Sequence, residues 1–452
     1  MNYSEAIQYL YGLRLFGAKF GLENTYKLAA LAGNPQDRLR FIHVAGTNGK
    51  GSTCAMLESI YRAAGLRVGL FTSPHLVSFR ERIQVNRQLI SEQDVVRLTE
   101  ELRKQSLKFR PAIRGTASGP AKAGTPNQDA CPTFFEFVTV MALKYFAEQK
   151  CDLVIWETGL GGRLDATNIV TPLASVITNI AFDHEQWLGD TLGKIAAEKA
   201  GIIKPGVPVI TAADEPEALA IIEKTAREKN APLTSLAADG NPPLTKFAAL
   251  FRGAATLPLP GEHQKMNAAL ALAAIKVLQK QIPVTDEKIR EGLASVNWPG
   301  RLQLIQRPDG QKILLDGAHN VAGAKALRAA LEKNFQSPGH TLILGVFQDK
   351  DWRHICETLA PLAARIFTVP VASERSADAR ELAAACRAAN PAAGIAACNS
   401  LRAALEKTAG DDFVVVTGSL YLVGEALELA GLSPANGGER ALNEWTSKVS
   451  VC

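Results

Sequence analysis

Short apolar runs alternate along the chain with stretches of helical periodicity, and each run ends in a polar or glycine-rich turn. Phe41-Ile42-His43-Val44 leads into Gly46, and residues 68–71 lead into Thr72-Ser73-Pro74-His75. Leu153-Val154-Ile155-Trp156 ends at Glu157, residues 175–178 run towards Asp183-His184, and residues 207–210 follow. Strand-sized runs separated by helices predict βαβ units and a mostly parallel sheet. In such sheets ligands sit at the carboxyl ends of the strands, where these polar residues fall. A second set begins near residue 300: Ile313-Leu314-Leu315 ends at Asp316, Leu342-Ile343-Leu344 ends at Gly345, and residues 366–369 and 413–416 complete it. Asn297-Trp298-Pro299-Gly300 punctuates the chain between the two sets. The pattern predicts an α/β protein of two domains, 1–297 and a smaller 298–452, the latter of ordinary domain size.

One stretch breaks the rhythm. Residues 106–129 are rich in Pro, Gly, Ala, Ser and Thr and carry no hydrophobic period. They read as a poorly ordered surface loop, either an inert insertion or a lid.

Composition narrows the class. The 452 residues are 47% apolar and 21% charged, an ordinary globular balance with room for two or three cores. No apolar run approaches the roughly 20 residues needed to span a bilayer. The N-terminal residues lack a basic segment followed by an apolar stretch, so cytoplasmic residence without a membrane partner is expected. The seven cysteines are scattered without zinc or redox spacing, which suits a reducing compartment. The net charge is +5 with both signs interspersed. That balance admits an anionic small substrate, and no concentrated basic stripe marks a nucleic-acid partner.

The strongest chemistry lies in Ala45-Gly46-Thr47-Asn48-Gly49-Lys50-Gly51-Ser52-Thr53, after a predicted strand and before a helical pattern. Strand, glycine-rich turn, helix is the setting of a phosphate loop. Backbone N–H groups of Thr47, Asn48, Gly49 and Gly51 can approach phosphate oxygens, aided by the helix N-terminus. Lys50 can reach the outer phosphates and the Ser52 hydroxyl can ligate Mg²⁺. The motif departs from the usual form, because Gly51 separates Lys50 from Ser52 and Val44 stands at the early glycine position. A glycine-rich turn without ligand is the alternative.

Glu157, at a strand end, reads as a Mg²⁺ carboxylate or as a carboxylate facing solvent. The loop after it, with three glycines, Arg163 and Asp165, suits cradling a substrate. His184 is either a ligand or structural, since Mg²⁺ prefers oxygen donors. Lys199 ends a helix that Asp190 or Thr191 can cap and Gly201 can stop. By residue chemistry alone it is a lysine stabilised by the helix dipole.

Eleven stretches together resemble a known family: HVAGTNGKGST (43–53), FTSPHL (71–76), PTFFE (132–136), ETGLGGRLDATN (157–168), FDHEQWLGDTL (182–192), EKAGIIKPG (198–206), LPGEHQKMNAA (259–269), WPGR (298–301), DGAHN (316–320), DKD (349–351) and GSLYLVGE (418–425). In this order they are similar to folylpolyglutamate synthase, including its bifunctional dihydrofolate synthase form, within the Mur ligase superfamily. The resemblance implies an N-terminal phosphate-loop ATPase domain with a mostly parallel sheet and a smaller, Rossmann-like C-terminal domain. It implies an ATP-dependent ligase, expected as a monomer, adding L-glutamate to dihydropteroate or to (tetrahydro)folate and its polyglutamates through an acyl phosphate. The cofactors implied are ATP and Mg²⁺, with two ions.

It also implies roles for particular residues. Gly49, Lys50, Gly51 and Ser52 match ATP phosphate contacts, and Asn267, Arg301, Asp316 and His319 match further nucleotide contacts. Ser73, Glu157 and His184 match Mg²⁺ positions, and Lys199 matches a lysine carried as a carbamate. Lys50, His184 and Lys199 form the implied catalytic set. Thr133, Phe135 and Asp165 align with positions that meet the pterin-bearing substrate. The segment 106–129 departs from the family pattern and is expected to be dispensable for ATP binding. Ligases of peptidoglycan precursors or cyanophycin are the rival reading within the superfamily, and ETGLGGRLDATN weighs against them. DGAHN in the second domain weighs against a nucleotide switch without ligase chemistry.

Overall fold

The structure, a computed structural model, describes residues 1–14, 21–109, 131–237, 257–335, 339–433 and 437–443. Two sheets organise it. The first holds β1 (Phe41–Ala45), β2 (Val68–Phe71), β3 (Ile83–Val85), β4 (Gln88–Leu89), β5 (Leu153–Glu157), β6 (Ala174–Ile177), β7 (Val209–Thr211) and β8 (Leu233–Ser235). Their order is β4-β3-β2-β5-β1-β6-β7-β8. Every pairing from β2 to β8 is parallel, and β3 and β4 add an antiparallel hairpin at one edge. The central strands β1, β5 and β6 are buried along their whole length, which is why they read as unbroken apolar runs.

The second sheet holds β9 (Gln303–Gln306), β10 (Lys312–Leu315), β11 (His340–Leu344), β12 (Ala363–Thr368), β13 (Gly394–Ala397) and β14 (Phe413–Thr417). Its order is β13-β12-β11-β14-β10-β9, parallel except for β9 against β10. Every strand expected from an apolar run is present, β7 starting two residues later than its run. The strands without such a run, β3, β4, β8, β9 and β13, lie at or beside sheet edges. β9 shows why: it alternates half-buried and exposed positions, with Leu304 48% exposed.

The helix Lys50–Ala63 anchors the phosphate-loop turn. Residues 52–61 are all buried, between the sheet and the helices Glu262–Leu278 and Asp286–Ala294 that pack on it. On the other face, Trp156 of β5 is the largest fully buried side chain. Its ring meets Phe71 at 4.5 Å and Phe41 at 5.6 Å, and its Nε1 donates to the Thr167 carbonyl at 2.9 Å. Truncation here leaves a cavity beneath the strand that ends in Glu157. Trp156→Ala is therefore expected to lower unfolding free energy by about 3–5 kcal/mol in a denaturant titration.

The chain crosses back at its end. The short helices Gly437–Arg440 and Ala441–Asn443 return to the first sheet, where Leu442 joins the core beside Phe79 and Phe134. Glu439 accepts hydrogen bonds there from Ser78 Oγ at 3.0 Å and Tyr3 OH at 3.2 Å. Near the other departure from expectation, the helix Glu92–Ser106 and a 3-10 turn Leu107–Phe109 occupy the first four residues of the anticipated loop. Helical phasing persists to that point, so residues 106–109 are not the loop that composition suggested. Of the rest, 110–129 lie outside the described residues. No helix among the described residues is long and apolar enough to cross a membrane.

Candidate active site

A cleft of about 390 Å³ runs between the carboxyl end of the first sheet and the second sheet, within the usual range for small-molecule sites. One wall is the turn after β1. Gly46 has φ +145°, and a Cβ there would stand 1.8 Å from Thr178 Oγ1. Gly49 has φ +85°, and a Cβ would stand 2.3 Å from Asn267 Oδ1. Both positions need glycine for the backbone turn and for close approach.

The segment after β6 grips this turn. Thr47 N donates to the Asn179 carbonyl at 2.8 Å, Asn48 N to Asn179 Oδ1 at 2.7 Å, and Thr178 Oγ1 to the Asn48 carbonyl at 2.7 Å. Lys50 folds over the turn, its Nζ donating to the carbonyls of Gly46 at 3.1 Å and Thr47 at 3.2 Å. Ser52 is buried in the first turn of the helix and lines the cleft.

At the end of β5, Glu157 is 3% exposed and accepts from Ser73 N at 2.9 Å. Burial pushes its carboxyl up to about 7, against the opposing pull of Lys50, the Ser73 amide, Arg301 and Arg82. Ser73 Oγ beside it is buried without a hydrogen-bond partner. A destabilised carboxylate next to an orphaned oxygen is a donor set that a hard cation would satisfy. The residues fit Mg²⁺ on that ground. Among the described residues no three His, Cys, Asp or Glu side chains converge as a metal cluster, so the donors would be mixed in kind.

His184 sits at φ +54° on the next strand's loop, its side chain 36% exposed towards the cleft. Burial pushes the imidazole down to about 3; Asp183 opposes this, while Lys350, His319 and Lys199 add to it. That direction favours the neutral ring, which can act as an acceptor or ligand. Lys199 is buried, and its Nζ donates to the Gly46 carbonyl at 2.9 Å. Burial, with Lys50 nearby, lowers its pKa to about 7. The side chain thus points at the phosphate-loop turn, a direction that a plain helix-end lysine would not require.

The second sheet supplies the opposite wall. Arg301, Asp316 and His319 all line the cleft. Asp316 accepts from Leu302 N and Ala318 N, both at 2.9 Å, which stiffens the loop after β10. His319 Nδ1 lies 2.7 Å from the Gly317 carbonyl. Asn267, from the helix Glu262–Leu278, closes on Gly49 and donates to Gln264 Oε1 at 3.1 Å.

Thr133, Phe135 and Asp165 also line the cleft. Much of their polar capacity is spent locally. The Thr133 hydroxyl caps the helix Phe134–Glu148 by accepting from Glu136 N. Asp165 accepts from the backbone N–H groups of Gly159, Leu160 and Thr167 and from the Thr167 hydroxyl, holding the glycine-rich loop in shape. The Phe135 ring lies over Gly159, where a Cβ would stand 2.4 Å from Cζ.

Two contacts across the cleft, and one between its first wall and the returning tail, escaped the sequence reading. Asp183 accepts from Lys350 Nζ at 2.5 Å and from Asn320 Nδ2 at 3.1 Å, with His319 Nε2 at 3.6 Å. Burial alone would raise its carboxyl, but His184, His319 and Lys350 together hold it well below the carboxylate range. Asn48 and Asn320 exchange hydrogen bonds at 3.0 and 3.2 Å. Arg82 donates to His75 Nδ1 at 2.9 Å and to Asn443 of the returning tail. Asp183 and the DKD and DGAHN stretches were visible as motifs, but nothing local says that they meet.

A glycine-rich strand–turn–helix facing a second α/β unit across a cleft is the form of a nucleotide-dependent enzyme with a two-walled site. The Mur ligase middle domain matches residues 44–275, and the Mur ligase glutamate ligase domain matches residues 300–420. The dihydrofolate synthase/folylpolyglutamate synthase of Bacillus subtilis (strain 168) is 36% identical over 438 residues, covering 94% of this chain and 98% of that one. The enzyme of the same description from Escherichia coli (strain K12) is 36% identical over 434 residues, covering 94% of each. The solved structure of E. coli FolC in complex with DHPP and ADP superposes with a TM-score of 0.80 at 30% identity, covering 96% of this chain and 98% of that one. The chain belongs to the dihydrofolate synthase/folylpolyglutamate synthase family of Mur ligases. It is an ATP-dependent, ADP-forming glutamate ligase acting on small molecules.

Proposed function

We propose that this ligase joins L-glutamate to dihydropteroate, to a (tetrahydro)folate, or to both, by way of an acyl phosphate. The observation that carries this reading is the convergence of Lys50, Glu157 and Lys199 with Arg301, Asp316 and His319 on one cleft. The acceptor's carboxylate is a poor electrophile. Attack of its oxygen on the γ-phosphorus of ATP releases ADP and gives the carbonyl a phosphate leaving group. The neutral amine of glutamate then attacks that carbonyl, loses a proton, and phosphate departs.

The chain's contribution is position and charge. Lys50 and the turn's N–H groups hold the phosphates, and Arg301, Asp316 and His319 hold the nucleotide from the other wall. Thr133, Phe135 and the loop shaped by Asp165 take the pterin end. Ser73, Glu157 and His184 would hold Mg²⁺, two ions in all, which when bound neutralise phosphate charge. Closure of two domains dividing near residue 297 would complete the site. The enzyme would work as a monomer in the cytoplasm.

Lys199 enters as a carbamate. A neutral amine attacks carbon dioxide, an N–C bond forms, and a proton leaves. A lysine lowered to about 7 supplies that amine near neutral pH. The product replaces an ammonium facing Lys50 by oxygen donors of the kind Mg²⁺ prefers.

A substrate panel tests the acceptor. Dihydropteroate, tetrahydrofolate and a peptidoglycan precursor are each incubated with ATP and glutamate, and products are weighed by mass spectrometry. A glutamate added to either of the first two is expected, with the precursor inert. Addition to the precursor alone would overturn the reading.

A further inference from the structure

A second polar crevice is lined by nine residues, none of them shared with the cleft. It forms where the helix Lys50–Ala63, the turn between β3 and β4, and the segment after the helix Asp286–Ala294 meet. Two side chains there carry open hydrogen-bonding capacity of opposite charge. The Glu58 side chain is wholly shielded from solvent; its Oε1 accepts from Arg62 Nε at 2.8 Å, and its Oε2 is buried without a partner. Arg87 donates from Nη2 to the Asn297 carbonyl at 2.8 Å, and its Nη1 is also buried without a partner.

Leaving either group unmet carries the desolvation cost of a charged atom. The two do not pair with each other, although they interact electrostatically. Burial raises the Glu58 carboxyl, and both Arg62 and Arg87 pull it back down. The turn that presents Arg87 is itself unusual. Asn86 and Arg87 both have positive φ, 49° and 66°, in a two-residue hairpin connection whose second place normally goes to glycine. The chain puts an arginine there, with its guanidinium 5.3 Å from the Trp298 ring.

The open donor and the open acceptor decide the kind of ligand. A simple anion would satisfy Arg87 and be repelled by Glu58. A simple cation would satisfy Glu58 and be repelled by Arg62 and Arg87. A dipolar molecule meets both. We propose that this crevice is a second ligand site, which binds a compact zwitterion of the α-amino-acid class with its carboxylate on Arg87 and its ammonium on Glu58. The position gives such a ligand a route to the reaction. Trp298, under Arg87, reaches the phosphate-loop turn, since a Cβ on Gly51 would stand 2.9 Å from Trp298 Nε1. Three residues further on is Arg301. Occupancy of the crevice therefore bears on both walls of the nucleotide cleft, and nucleotide must bear equally on occupancy.

The test uses the full-length protein with glycine as the zwitterion, inorganic phosphate as the anion and methylammonium as the cation. Binding is measured by calorimetry. Glycine is expected to bind in about the millimolar range or tighter, with phosphate and methylammonium at least about tenfold weaker. Glu58→Gln and Arg87→Met should each weaken glycine binding by about tenfold or more, while Lys50→Ala binds it as the wild type does. Wild-type protein gives a readout that needs no variant. Phenylglyoxal labelling, located by peptide mass, should be slowed by glycine at Arg87 and unchanged at the exposed Arg163. Failure of glycine to protect Arg87, equal protection by phosphate, or loss of glycine binding in Lys50→Ala would each overturn the proposal.

Discussion

Lys50→Ala is expected to slow ligation by about 10³-fold while leaving the fold in place. The Lys50 ammonium is the cation mounted on the glycine-rich turn itself, and its hydrogen bonds go to two carbonyls of its own loop. Its removal costs the fold two hydrogen bonds at the edge of a cleft. In the proposed mechanism it also costs the reaction the charge that would meet the outer phosphates. The helix behind it, buried along residues 52–61, keeps the turn in place. Steady-state turnover set beside a thermal melt separates the two effects. Near-normal turnover in a folded variant would remove the phosphate loop from the mechanism.

Lys199→Ala is expected to lose about 10²- to 10³-fold in activity and to regain part of it with added acetate or formate. The short carboxylate would stand in for the oxygens of the proposed carbamate. Stability moves the other way, and its sign follows from the lowered pKa. Lys199 falls from 10.5 in a free side chain to about 7 in the fold. Between those values the unfolded chain binds more protons than the folded one, so wild-type stability rises with pH across that window. The variant should lose this slope in metal-free buffer without bicarbonate. A variant that keeps the slope, or keeps full activity, would return Lys199 to an ordinary helix-end role.

The strand–turn–helix around Gly46–Ser52 and the strand-end place of Glu157 were legible because their signals are local. A glycine-rich turn between an apolar run and a helix, and a carboxylate at the end of a buried strand, need no partner to be recognised. The central strands were legible for the same reason, being apolar along their whole length. What the sequence hid is what distance in the chain hides. Asn48 and Asn320 pair across 272 residues, and Asp183 meets Lys350 across 167. Leu442 and Asn443 return to a core formed more than 300 residues earlier, where Asn443 donates to the His75 carbonyl at 2.9 Å. Periodicity carries no trace of such meetings. The edge hairpin was silent for another reason: β4 is exposed, so nothing selected an apolar run there, and β3 is buried but only three residues long with Gln84 at its centre. Asp165 shows a third limit. The resemblance aligned it with a substrate position, and residue type alone did not show that its carboxylate also holds the loop lining the cleft.

The central claim is that the acceptor carboxylate is phosphorylated before glutamate attacks, and isotope transfer tests it most directly. An acceptor labelled with ¹⁸O in its carboxylate is turned over with ATP and glutamate, and the phosphate released is analysed by mass. Passage through an acyl phosphate predicts one labelled oxygen in each phosphate formed. Unlabelled phosphate from an enzyme that still makes the glutamyl product would contradict the account.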